Sequence, residues 1–230
     1  MNTINIAIDG PSSAGKSTTA KMLAQKLGII YVDTGALYRA LAYYALSNNI
    51  DPTDVPSVDK MLETVKISLE YKHNIQKVLV NNEDVTERIR TPEISIAALN
   101  ISKIPSVREF LLATQRDIAA ANSVIMDGRD IGTVVLPNAE FKVFLTANPV
   151  VRAARRYKEL IISGIECTQE DVLRQINERD HNDTHREIAP LKPAPDSIFI
   201  DSTYLTINEV VKIIYDLVSS DQNIVSPAGE

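Results

Sequence analysis

The sequence predicts an α/β protein built on a five-stranded parallel sheet, and three observations predict it. First, Gly10-Pro11-Ser12-Ser13-Ala14-Gly15-Lys16-Ser17 fits the phosphate-cradling pattern G-x-x-x-x-G-K-[ST] between a strand-like run and a helix-like run. Second, short apolar runs recur at 4–8, 29–33, 123–127, 141–145 and 197–201 and alternate with helical patterns. Such alternation favours parallel strands joined by right-handed crossovers. Third, the chemistry-bearing stretches fall just after these runs, where parallel sheets place their ligands.

The elements follow in order. Ile4-Asn5-Ile6-Ala7-Ile8 reads as a buried strand, and Thr18 to Leu27 as a helix stopped by Gly28. A second strand, 29–33, leads through Thr34-Gly35-Ala36-Leu37-Tyr38-Arg39 into a helix reaching about Leu46, with Leu37, Leu41, Tyr44 and Ala45 on one face. Asp51-Pro52 and Val55-Pro56 mark a break, and a helical piece follows from Val58 to Thr64. Between 65 and 90 the period changes: Val65, Ile67 and Leu69, then Ile75, Val78 and Val80, flank Lys72-His73-Asn74 like an antiparallel hairpin. This piece interrupts the alternation and reads as a small inserted lobe. From Pro92 to Ala121 the pattern is helical, punctuated at Pro105.

Asn148-Pro149 is a helix start, with Asn as cap and Pro in the first turn. Thr168-Gln169-Glu170-Asp171 has the form of a capping box and opens another helix toward Asp180. Ala189-Pro190-Leu191-Lys192-Pro193-Ala194-Pro195 is a loop, and the last helix starts near Ile207 and runs to about Val218, ahead of a flexible tail at 220–230.

Composition excludes several classes. Hydrophobic residues make up 44% of the 230, enough for a sizeable core. The net charge of −6 argues against nucleic-acid binding driven by overall charge, so any anion site must be a local basic cluster. Cys167 is the single cysteine, which rules out an intramolecular disulfide, and no Cys/His grouping has zinc spacing. The start has no basic n-region or apolar h-region, and no apolar run has membrane-spanning length, so a soluble, cytoplasmic chain is expected. His73, His181 and His185 sit in polar surroundings and read as surface residues.

The glycine loop carries the first chemistry. Its backbone N–H groups and the following helix N-terminus suit an anion. Lys16 would reach the β- and γ-phosphates of a nucleotide, and the Ser17 hydroxyl would help hold Mg²⁺. Asp127 ends an apolar strand, where an acidic residue supports Mg²⁺ directly or through water; taken alone it reads equally well as a cap on the next turn.

Asp127-Gly128-Arg129-Asp130-Ile131-Gly132-Thr133 packs two carboxylates and an arginine between glycines. Arg129 suits a bidentate phosphate grip and Asp130 an amine or hydroxyl, against the alternative of an internal Arg–Asp pair. Arg152, Arg155, Arg156, Lys158, Arg174, Arg179 and Arg186 concentrate positive charge in an acidic chain, and the first three share a face by spacing. That pattern suits either a solvated helix face paired to Glu159, Glu178 and Asp180, or an arginine-rich lid that stabilises a transferring phosphoryl group and excludes water.

Together these stretches resemble the bacterial cytidylate kinases, a nucleoside monophosphate kinase family. The matching pieces are Ile8 to Ser17, Asp33-Thr34-Gly35-Ala36-Leu37-Tyr38-Arg39, Asp127 to Val135, and Arg179-Asp180 through Arg186-Glu187-Ile188-Ala189-Pro190-Leu191. The resemblance implies the three-layer P-loop NTPase fold as one domain. Its core would comprise 1–60, 91–150 and 186–219, with a nucleotide monophosphate-binding insert at about 61–90 and a lid at about 151–185.

The resemblance also implies ATP as phosphoryl donor, bound by Gly10, Pro11, Ser12, Ser13, Ala14, Gly15, Lys16, Ser17 and Thr18, with Mg²⁺ at Ser17 and Asp127. Arg39, Arg129 and Arg186 look like the grip on the CMP phosphate. Thr34, Arg108 and Asp130 look like contacts to the pyrimidine nucleotide, and Arg179 and Asp183 like a pair near the sugar hydroxyls. Arg155 and Arg156 resemble lid arginines on the transferring phosphate, acting with Lys16 and Arg129 as the catalytic set.

One departure stands out. Many relatives carry serine where this chain has Leu99, which offers no side-chain hydrogen bond, and Asn100 and Ser102 are the polar neighbours. The implied activity is Mg²⁺-dependent phosphorylation of CMP or dCMP by a monomer. A kinase for UMP or dTMP and a nucleotide-binding switch without an acceptor are the alternatives.

Overall fold

The computed structural model describes residues 3–72 and 75–220. His73, the rest of the expected hairpin turn through Asn74, and positions 221–230 of the expected tail lie outside the described residues. The chain forms two compact units, one of Met1–Ile29 with Val124–Glu230 and one of Ile30–Ser123.

The strands β1 (Asn5–Asp9), β2 (Ile30–Asp33), β6 (Val124–Gly128), β7 (Phe141–Thr146) and β8 (Ile198–Asp201) make a five-stranded sheet in the order β2-β6-β1-β7-β8. β1 pairs in parallel with β6 and β7, and β7 with β8. β1 has neighbours on both edges, and Ile6, Ala7 and Ile8 are fully buried, which is why its sequence is nearly continuous in apolar residues. β8 is an edge strand: Ile200 is buried while Ile198 and Phe199 are exposed.

In the first unit, α1 (Lys16–Leu27) ends at Gly28, whose left-handed backbone closes on the Ala24 carbonyl as expected. α6 (Pro149–Ile162) is capped by Asn148, whose side chain accepts from the Val150 N–H. α7 (Gln169–His185) is capped by Thr168 accepting from Asp171 N–H, and it runs further than its start signal alone suggested. α8 (Ile207–Ser220) completes the unit with Val210, Val211, Ile214 and Val218 inward.

In the second unit, α2 (Thr34–Ser47), α3 (Val55–Leu62), α4 (Pro92–Ile101) and α5 (Pro105–Ala121) surround a core containing Leu37, Leu41, Ile89, Ile101 and Leu111. Pro105 opens α5 instead of kinking one longer helix. The antiparallel piece has three strands, β3 (Ile67–Lys72), β4 (Ile75–Val80) and β5 (Glu83–Asp84), where one hairpin was expected. The added pairing follows from Asn81 and Asn82, with φ of 49° and 67°, which form the two-residue turn between Val80 and Glu83.

Candidate active site

The phosphate loop leaves the end of β1 at Gly10, where φ is 150° and a Cβ would stand 1.9 Å from the Leu145 carbonyl oxygen of β7. Only glycine fits so close a backbone approach. Gly15 then enters α1 with φ 93°, and Lys16 and Ser17 follow on its first turn. Lys16 is buried, and its Nζ donates to the Pro11 carbonyl at 2.6 Å, curling over its own loop. Burial lowers its pKa well below the usual lysine value; Arg129 and Arg179 push the same way, and Asp127 and Asp9 oppose them. The part of that depression that comes from Arg129 and Arg179 is one that a bound polyanion would relieve.

The two residues expected to hold a metal are brought together. Ser17 Oγ donates to Asp127 Oδ2 at 2.7 Å, across the register in which Ile8 of β1 faces Asp127 of β6. A hydroxyl and a carboxylate are hard oxygen donors of the kind Mg²⁺ takes, with water and phosphate oxygens for the remainder. Among the described residues no group of three or more His, Cys, Asp or Glu side chains is arranged for a metal.

After β6 the chain makes one turn of π-helix, Ile131–Val135, which the periodicity did not announce. Arg129 Nε donates to Asp183 Oδ2 of α7 at 2.6 Å, and Arg186 lies 3.5 Å from Asp130 Oδ1. Arg186 Nε also donates to the Ala189 carbonyl at 2.6 Å. Burial alone would raise Asp183, but the charge and hydrogen bond of Arg129, with Arg179 and Arg186 beyond, hold its carboxyl below the usual range. Arg129, Asp130, Asp183 and Arg186, expected from separate stretches, therefore form one network, with Arg179 near enough to act on Asp183.

The arginines of α6, placed on one face by their spacing, differ in burial and in partners. Arg152 is 3% exposed. It donates from Nε to the Ala147 carbonyl at 2.8 Å and from Nη1 to the Ser12 carbonyl at 3.2 Å, and pairs from Nη2 with Asp180 at 2.6 Å. Arg155 donates to the carbonyl of Ser202 at 2.7 Å and to its hydroxyl at 3.2 Å, and Ser202 Oγ lies 3.2 Å from the phosphate-loop carbonyl of Ala14. Arg156 is exposed and pairs with Glu159 one turn on, the solvated-face arrangement. Packing decides the difference, because α7 covers α6 around Ala153, Val172 and Ile176 and so buries the Arg152 side. His181 and His185 are exposed, their rings stacked at 4.1 Å.

In the second unit, Asp33 caps α2 by accepting from Ala36 N–H at 3.0 Å, while its other oxygen takes Arg39 Nη2 at 2.8 Å. Gly35 leaves room for this pair, since a Cβ there would stand 3.2 Å from Arg39 Nη1. Arg39 Nε is buried with no hydrogen-bond partner among the described residues. Thr34 is buried at the head of the same helix. Arg108 on α5 donates to the Ser102 carbonyl at 3.4 Å and lies over the Tyr38 ring at 5.8 Å. Ser102 Oγ donates to the Leu99 carbonyl at 2.9 Å, closing α4, and Leu99 itself is half-buried.

The cytidylate kinase family model matches residues 6–220. The chain belongs to the cytidylate kinase family. It is 50% identical over 217 residues to a cytidylate kinase of Caldicellulosiruptor saccharolyticus, covering 94% of this chain and 96% of that one. Against a cytidylate kinase of Carboxydothermus hydrogenoformans it is 46% identical over 221 residues, covering 96% and 100%. An uncharacterized protein from Eubacterium ventriosum shares the fold with a TM-score of 0.50 at 13% identity, over 95% of this chain and 99% of that one. Membership of a kinase family implies a nucleotide phosphoryl donor, which is what the loop at Gly10 is shaped to hold. Among the described residues no helix is long and apolar enough to cross a membrane.

Asp9 is the residue that sequence reasoning left without a role. It is 4% exposed and accepts N–H bonds from Ile131 at 2.8 Å and Gly132 at 2.7 Å. Burial nevertheless pushes its pKa from the ordinary 3.8 up to about 6, with Asp130 adding to the rise and Lys16 opposing it. The folded chain therefore holds this proton more tightly than the unfolded chain, and stability from this group falls as pH rises from about 4 to 6. The Asp9→Asn variant lacks that titration. Its unfolding free energy relative to the wild type is expected to rise by about 3 kcal/mol between pH 3.5 and 7. Denaturant melts read the difference, and a flat difference would contradict the shift.

Proposed function

We propose that the protein transfers the γ-phosphoryl group of ATP to CMP or dCMP, giving ADP and CDP or dCDP, with Mg²⁺ held at Ser17 and Asp127. The observation that carries this reading is the network of Arg129, Asp130, Asp183 and Arg186 in the same unit as the phosphate loop. A protein that only binds or hydrolyses ATP has no need of a second anion-binding cluster beside its phosphate loop.

The roles follow from the chemistry. The backbone of Gly10 to Thr18 and Lys16 bind the donor phosphates. Bound Mg²⁺ would supply charge neutralisation on the phosphate oxygens. Arg39, Arg129 and Arg186 grip the acceptor phosphate, Thr34, Arg108 and Asp130 contact the nucleoside, and Arg179 and Asp183 serve the sugar. Arg155 and Arg156 serve the transferring group as the segment at about 151–185 closes as a lid, and the segment at about 61–90 belongs to the acceptor side. An oxygen of the CMP phosphate, already an anion, attacks the γ-phosphorus in line as the bond to the β-phosphate oxygen breaks. No general base is required, and positioning with charge stabilisation does the work.

The test is an acceptor panel of CMP, dCMP, UMP and dTMP with ATP and Mg²⁺. CMP or dCMP should be the best acceptor; transfer to UMP at least as fast would replace this assignment. Arg39→Ala sharpens it. A charge-assisted grip contributes about 1.5–3 kcal/mol, so the KM for CMP should rise about 10- to 150-fold with the KM for ATP unchanged. The unpartnered Nε of Arg39 supports this role, and equal changes for both nucleotides would remove it.

A further inference from the structure

Ser202 directly follows β8 and is 2% exposed. Its N–H donates to the Thr146 carbonyl at the end of β7, at 2.8 Å. Its carbonyl accepts from Arg155 Nη2 at 2.7 Å. Its hydroxyl oxygen lies 3.2 Å from Arg155 Nη1, 3.0 Å from the Thr146 carbonyl and 3.2 Å from the Ala14 carbonyl of the phosphate loop. A hydroxyl has a single proton to donate. The Thr146 carbonyl already holds the Ser202 N–H, whereas Ala14 is fully buried and its carbonyl needs a donor. The proton therefore belongs to Ala14, and a lone pair of the same oxygen takes the Arg155 N–H.

The Ala14 carbonyl matters through the peptide it belongs to. A trans peptide is planar, so its C=O and N–H point opposite ways. Holding the Ala14 oxygen on Ser202 turns the Gly15 N–H away from Ser202. Arg152 treats an earlier peptide of the loop alike, since its Nη1 holds the Ser12 carbonyl at 3.2 Å and so turns the Ser13 N–H. Ser13 and Gly15 both have left-handed backbone, with φ of 57° and 93°. Alternation of that kind gathers successive N–H groups into a concavity for an anion. At Ser13 it is also strained, so it persists only where neighbours hold it.

We propose that Ser202 is a positioning residue for the phosphoryl donor: its hydroxyl, oriented by Arg155, holds the Ala14–Gly15 peptide so that the Gly15 N–H faces the donor phosphates. This rests on the reading of Gly10 to Thr18 as the donor cradle. It leaves Arg155 able to serve the transferring group as well, because a guanidinium carries more N–H donors than the two that Ser202 takes.

The experiment measures the Kd for ATP by calorimetry and the KM for CMP on the wild type, Ser202→Ala and Ser202→Thr. ATP binding and CMP turnover by the wild type test the underlying reading separately. Given both, Ser202→Ala should weaken ATP about 10-fold, because the buried Ala14 carbonyl loses its donor, and leave the KM for CMP within about twofold. Ser202→Thr keeps the hydroxyl and should weaken ATP by less than about threefold. A loss of ATP affinity below about threefold in folded Ser202→Ala, an equal change for CMP, or a threonine variant as impaired as the alanine one would each overturn the proposal. Thermal melts show which variants are folded. Where Ser202→Ala is not, Ser202→Cys takes its place, with the weak thiol donor expected to cost ATP binding at least about threefold and CMP less than about twofold.

Discussion

Replacing Lys16 with alanine should lower kcat by about 10²- to 10³-fold at saturating ATP and CMP, the loss that follows from removing one preorganised charge at a transferring group. Lys16 is 6% exposed and enters from the first turn of α1 over the loop, and its Nζ rests on the Pro11 carbonyl. Arg129 is already committed to Asp183 and Arg152 to Asp180. Lys16→Arg should fare little better, because a planar guanidinium does not fit a buried slot shaped for an ammonium. Steady-state rates with both substrates saturating check this, and a loss below about threefold would place the transferring phosphate elsewhere.

Replacing Arg152 with methionine should cost about 3 kcal/mol of stability, the usual loss when one partner of a buried ion pair is removed. For a chain of this size that lowers Tm by about 10 °C. Three groups lose their partner together: the Asp180 carboxylate and the carbonyls of Ala147 and Ser12. Among the described residues Asp180 Oδ1 already has no hydrogen-bond partner. The double variant Arg152→Met with Asp180→Leu should recover part of the loss, since two apolar groups leave no buried charge unpaired. Thermal or denaturant melts of the three proteins decide it. If the single variant loses less than about 1 kcal/mol, the pair does not hold α6 and α7 together in solution.

The burial of Arg152 and the partners of Asp9 are not written in their local sequence. Arg152 shares the spacing of Arg155 and Arg156, and spacing specifies a helix face but not what covers it. The partners of Arg152 come from the loop at Ser12 and from α7, and those of Asp9 from the far side of β6. No local pattern reports a contact made across such separations. The third strand of the small sheet was missed for a different reason. Its signal, Asn81-Asn82, was local and present, but β5 is too short to show an alternating pattern.

What the sequence determined by itself was whatever a few neighbouring residues decide. The glycine loop at Gly10 to Ser17, the helix caps at Asn148 and Thr168, the stop at Gly28 and the break at Pro105 all depend on backbone freedom or on a side chain reaching two or three residues along. Those local rules, with the alternation of period, were enough for the fold class and for the glycine loop, whereas Arg39, Arg108, Arg179, Asp183 and Arg186 were singled out as site residues by the family resemblance. The tertiary structure alone decided the strand order β2-β6-β1-β7-β8, the meeting of Ser17 with Asp127, the burial of Arg152 and the capping of the Ile131 turn by Asp9. The physical reason is that a charge or an N–H group must find its partner wherever packing places one, and in a parallel sheet the ends of neighbouring strands lie far apart in the chain.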